Sequence, residues 1–148
     1  MNEWSVRRRI VAATLAAGVL DIAAAMLITV KRDREILGML RGIASGPFPD
    51  ATQWGIAGAI LGLLVHFVLI AVMATVFVFA ADRLAILKSR PITAGAAYGV
   101  ATWGVMNLLV LPLRWPAIFP QFDAVSVFTQ LACHIFLVGI PTALIARR

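Results

Sequence analysis

The sequence predicts an all-α integral membrane protein: four transmembrane helices in an up-down bundle, with a short amphipathic interfacial helix in the first loop. Three observations predict it. Hydrophobic residues make up 61% of the 148 residues and charged residues only 14%, more apolar surface than a soluble chain of this length has interior to hide. Four apolar runs are long enough to cross a hydrocarbon layer of ~30 Å, which takes ~20 helical residues. The basic residues alternate in number from one connection to the next, as in an oriented membrane protein. Together these exclude a soluble enzyme, a disordered chain and a disulfide scaffold. Cys133 is the only cysteine.

The first span covers about residues 10–30 and holds one ionisable residue, Asp21. The segment also imitates a cleavable signal, with Arg7–Arg9 before an apolar stretch and Ala23-Ala24-Ala25 after it. The run continues apolar to Val30, however, and a charged Asp21 suits no cleavage site, so a retained span is expected. The first loop follows. Ile36, Leu37, Leu40, Ile43 and Ala44 fall at helical spacing, which predicts an amphipathic helix over about 34–45, lying at the membrane interface. It reads either as a lid over the bundle mouth or as a parked connector, and Gly46-Pro47-Phe48-Pro49 ends it.

The second span covers about 55–81, uncharged until Asp82-Arg83. The third covers about 92–113, opened by Pro91 and closed by Pro112 and Arg114. The fourth covers about 124–146, between Asp123 and Arg147-Arg148, and Pro141 inside it predicts a bend by freeing the carbonyl near Leu137. Runs this continuous are helices, because barrel strands are about ten residues long and alternate.

With the N-terminus inside, the inner segments carry Arg7, Arg8, Arg9, Arg83, Lys88, Arg90, Arg147 and Arg148, offset by Glu3 and Asp82. The outer ones carry Lys31, Arg32, Arg34, Arg41 and Arg114, offset by four acids. Both termini are therefore expected in the cytoplasm of a bacterium, with the chain in its inner membrane. The formal charge of +6 is then a topology signal that also favours anionic headgroups, and no nucleic-acid partner is expected. Trp4, Trp54 and Trp115 sit at span ends, as in an aromatic belt.

Soluble-enzyme motifs are absent, and no catalytic residue is expected. The informative residues are polar groups inside the spans, where ionisable side chains are costly. Ala13, Ala17, Asp21 and Ala25 are spaced by four. So are Gly58, Gly62 and His66, and so are Ser126, Gln130 and His134. Ala97, Ala101, Gly104 and Asn107 follow a similar path on the third helix. Each helix thus shows one small-or-polar face, suited to close helix packing, to self-association or to docking on other membrane subunits. At 1.5 Å per residue, Asp21, His66 and His134 lie ~14–15 Å from their outer ends, and Asn107 and Gln130 ~9 Å.

Three readings of this midplane set stay open. One is a satisfied polar network that fixes helix register. The second is handling of protons or a small solute, since Asp/His groups relay protons in membranes. The third is a haem b or metal held by His66 and His134. A structural or accessory subunit of a larger membrane complex is the competing class of function.

Several segments also resemble, in order and spacing, a family of short four-helix inner-membrane proteins of proteobacteria, related to the YagU-like proteins. They are Gly18-Val19-Leu20-Asp21-Ile22, Ile43-Ala44-Ser45-Gly46, Leu61 through Phe67, Tyr98-Gly99, Met106-Asn107, Leu111-Pro112-Leu113 and His134 through Arg148. The resemblance implies an integral inner-membrane protein without a cleaved signal. It also implies that Asp21, His66, Asn107 and His134 are family features, and it supplies no activity.

Overall fold

The structure is a computed structural model and describes residues 4–148. Glu3, counted above among the inner charges, lies outside the described residues. The chain is an all-α, multi-pass membrane protein. Its helices are α1 (Val6–Lys31), α2 (Ile36–Ala44), α3 (Gly55–Arg83), α4 (Ala85–Ser89), α5 (Pro91–Arg114) and α6 (Ala124–Ala146). Of these, α1, α3, α5 and α6 are long and apolar enough to cross a membrane. They alternate in direction, so both termini and α4 share one end, the terminal end. The α1–α3 and α5–α6 connections share the other, the far end.

Local chemistry sets the helix limits. Ser5 caps α1 by accepting the Arg8 amide at 3.3 Å, supplying a partner that the first turn lacks internally. Gly55 opens α3 at φ 54°, a left-handed conformation that costs glycine little. Asp123 caps α6 by accepting the Ser126 amide at 2.9 Å, and this bond from the Ser126 backbone holds the Asp123 carboxyl below its ordinary range. Pro91 begins α5, where its missing N–H leaves no helical bond unmade.

α1 packs on both α3 and α6, which also meet each other, and α5 packs on α6. Ala17 of α1, Ile70 of α3 and Val138 of α6 meet in one buried cluster. Phe77, Val78 and Ala81 of α3 join Ala143 and Ala146 of α6 in another, nearer the terminal end. Tyr98 ties α5 to α3. Its hydroxyl donates to the Met73 carbonyl at 2.8 Å, and its ring lies 4.9 Å from that of Phe77. The amphipathic α2 buries Leu40 and Ala44, with Leu40 in a cluster with Ile22 of α1 and Ala59 of α3.

Two features differ from the sequence expectation. The small face of α5 runs through Gly95, Gly99 and Thr102, which are buried, whereas Ala97 and Ala101 are exposed. The reason is distance. A Cβ on Gly99 would stand 2.5 Å from the His134 carbonyl oxygen and from Ile135 Cα, and one on Gly95 would stand 2.6 Å from Ile140 Cα. Only glycine lets α5 and α6 cross this closely. Likewise Gly58 and Gly62 receive the first loop rather than another span. Gly62 faces the backbone of Leu40 and Ala44, and Gly58 faces the Ala51 carbonyl.

The second difference is helical register. α5 widens to π-helix over Val105–Val110, two residues before Pro112, and α6 does the same over His134–Gly139, two residues before Pro141. Proline removes one helical N–H and crowds the carbonyl four residues back. The extra residue per turn of a π segment carries that carbonyl clear. Pro141 is thus accommodated by local widening, and so is Pro112, inside a helix that ends at Arg114.

Candidate functional site

Asp21 on α1 and His66 on α3 face each other within the membrane-spanning part of the bundle. Gly18 makes the approach possible. A Cβ there would stand 2.5 Å from the Phe67 ring. With no side chain at Gly18, α3 comes close enough for His66 Nε2 to reach the Gly18 carbonyl oxygen at 3.0 Å. A carbonyl can only accept, so Nε2 carries the hydrogen. The remaining nitrogen, Nδ1, is the ring's free basic site, and it lies 4.0 Å from Asp21 Oδ2. The Phe67 ring stands edge-on to the imidazole at 5.4 Å and fixes its plane. The His66 side chain is 10% exposed and that of Asp21 23%.

The other three expected residues are placed differently. His134 Nδ1 donates to the Gln130 carbonyl of its own helix at 2.8 Å, so its free basic site is Nε2, the opposite tautomer to His66. Gln130 enters through that backbone oxygen. Buried Asn107 donates from Nδ2 to the Trp103 carbonyl, also on its own helix, at 3.1 Å. Among the described residues, neither His134 nor Asn107 shares a hydrogen bond or ion pair with Asp21 or His66. The structure therefore joins two of the five. It leaves His134 and Asn107 bonded to carbonyls one turn back, the nearest acceptors to a polar side chain inside a helix.

This arrangement can share a proton. With Nε2–H committed to Gly18, a proton moves between Asp21 and Nδ1 alone. At 4.0 Å the two atoms are about 1 Å beyond direct hydrogen-bond distance, so transfer needs a small approach or one bridging water. The same commitment leaves Nδ1 as the one nitrogen of His66 with a lone pair for a metal or haem, and that nitrogen is turned toward Asp21. Among the described residues, no three His, Cys, Asp or Glu side chains stand together as a metal cluster.

Two polar clusters were not singled out in the sequence. At the terminal end, Arg9 is buried. Its guanidinium donates to both Asp82 carboxylate oxygens, at 2.8 and 2.7 Å, and to the Ala146 carbonyl at 2.9 Å. Lys88 of α4 reaches the same carboxylate at 2.6 Å. At the far end, Arg114 donates to the carbonyls of Ser45 and Gly46 just past α2. The one available signal for Arg9 was Asp82, an acid standing at a span end among bases. No family model, curated protein or solved structure matches this chain.

Proposed function

We propose that the protein is a small non-enzymatic protein of the bacterial inner membrane whose Asp21–His66 pair handles protons, alone or linked to a small solute. The carrying observation is the 4.0 Å approach of Asp21 Oδ2 to the one free basic nitrogen of His66, inside spans that hold no other acid away from their ends. A carboxylate in that setting is expensive unless it works or is neutralised, and the pair supplies both a base and an acid within one small movement.

The test is proton flux into liposomes carrying a trapped pH indicator, with an imposed potential. Wild-type protein is expected to speed acidification. Asp21→Asn and His66→Gln, each of which removes one partner, are expected to cut the protein-dependent rate at least about tenfold, the scale of losing one positioned acid or base. Wild-type traces identical to protein-free liposomes would sink the proposal.

The basic bias between the two ends supports cytoplasmic termini. In a Cys133→Ser background, Ser89→Cys at the terminal end is expected to react with an impermeant thiol reagent only after cells are opened. Gln53→Cys at the far end is expected to react in intact spheroplasts. The reverse pattern would invert the orientation.

A further inference from the structure

At the terminal end the bases outnumber the acids that could hold them. Among the described residues the acid at that end is Asp82. Its carboxylate is already taken by Arg9, at 2.8 and 2.7 Å, and by Lys88, at 2.6 Å. Arg8 and Arg148 have no ion pair among the described residues, and both are exposed.

These two arginines are nonetheless held in place. The Cζ of Arg8, in the first turn of α1, lies 4.1 Å from the centre of the Trp4 ring. The Cζ of Arg148, just past the end of α6, lies 5.2 Å from the centre of the same ring. One half-buried indole thus gathers two like charges from the first and last spans. The ring's electron-rich face attracts each cation, while the cations repel each other. Stacking engages the flat face of a guanidinium and leaves its N–H edge open. Among the described residues, neither side chain donates a hydrogen bond to the protein.

Depth and the neighbouring surface name the anion that suits those edges. α1 starts at Val6 and α6 ends at Ala146, so Trp4, Arg8 and Arg148 stand at the level of the headgroups, where tryptophan anchors spans. Below Arg8, Val11, Leu15 and Val19 follow at helical spacing on one face of α1 and are exposed. A cationic head above an apolar stripe matches an amphiphile with an anionic headgroup, and guanidinium forks match phosphate oxygens.

We propose that Trp4, Arg8 and Arg148 form a binding site for an anionic phospholipid. The two arginines donate their N–H edges to its headgroup phosphate. Trp4 is the positioning residue that holds both, and an acyl chain lies along Val11, Leu15 and Val19. The bound lipid relieves the repulsion between the two cations and ties the first span to the last at the membrane surface. The site is independent of the Asp21–His66 reading.

The test is native mass spectrometry of the whole protein in detergent, offered equal amounts of phosphatidylglycerol and phosphatidylcholine with the same acyl chains. Wild type is expected to retain phosphatidylglycerol in preference by at least about tenfold, the scale of one charge-assisted bond. Arg8→Gln with Arg148→Gln is expected to bring the two lipids near parity. Arg83→Gln with Arg90→Gln removes the same charge from the same end and is expected to keep the preference. Trp4→Ala changes no charge, yet is expected to cut the preference about threefold, the scale of one exposed cation–ring contact, and Trp4→Phe is expected to restore it. Equal losses in the two double variants, or a Trp4→Ala preference equal to wild type, would mean diffuse attraction to the basic end and would overturn the site. Displacement of phosphatidylglycerol by excess soluble glycerol phosphate would overturn the lipid as its occupant, leaving a site for free phosphate esters.

Discussion

Gly99→Val is expected to dislodge α5 from α6 and cost about 3 kcal/mol, the upper part of the range for overpacking a filled interior. The new side chain would meet backbone, namely His134 O and Ile135 Cα at 2.5 Å. A crowding side chain can change rotamer, but a helix backbone can only translate. Moving α5 outward would also stretch the Tyr98 hydroxyl from the Met73 carbonyl and part its ring from Phe77, so the third span would lose both of its anchors. Gly104→Val is the matched control. It lies on the same helix, and a Cβ there meets nothing within 4 Å. Unfolding in mixed micelles by SDS titration would separate the two variants. Gly99→Val is expected to unfold at markedly lower SDS and to run as a broadened peak on size exclusion, with Gly104→Val near wild type. Equal midpoints would mean that the helices do not cross as closely as the glycines imply.

The four spans were legible because the bilayer makes a one-dimensional demand: about twenty apolar residues without charge, whatever their neighbours. Depth was legible for the same reason. Counting residues from the span ends puts Asp21 and His66 at one level, and they face each other. Azimuth was harder to read. On α5, glycines and alanines interleave from Gly95 to Gly104, so several faces satisfy a small-residue pattern. Which one packs depends on a backbone approach that only glycine permits. Gly58 and Gly62 formed a visible stripe, but nothing local to α3 said that α2 would fill it. His134 and Asn107 bond to carbonyls of their own helices, a choice governed by rotamers. The π segments were not legible, since a proline shows where a helix is strained but not whether it bends, stops or widens.

Asp82→Ala is expected to destabilise the terminal end by about 2–3 kcal/mol, below the 3–5 kcal/mol for stripping one partner from a fully buried pair, because Asp82 is partly hydrated. The side chains are 6% exposed for Arg9 and 28% for Asp82. Without the carboxylate, Arg9 would keep one bond, to the Ala146 carbonyl, and would remain a nearly dry cation among the ends of α1, α3 and α6. The reverse change is expected to cost less. Arg9→Met leaves Asp82 beside Lys88 at 2.6 Å, in contact with water, while the methionine fills the vacated space with a flexible apolar chain. The pair Arg9→Met with Asp82→Leu removes both charges together, so it is expected to regain most of the loss and to exceed Asp82→Ala in stability. SDS-unfolding midpoints of the three variants would rank these outcomes. If the double variant were the least stable, the ion pair would be contributing net stability beyond its desolvation, and Arg9 would be the principal tie among the three helices. If Asp82→Ala matched wild type, Arg9 would have to reach water in the folded protein, contrary to its burial against Ala146.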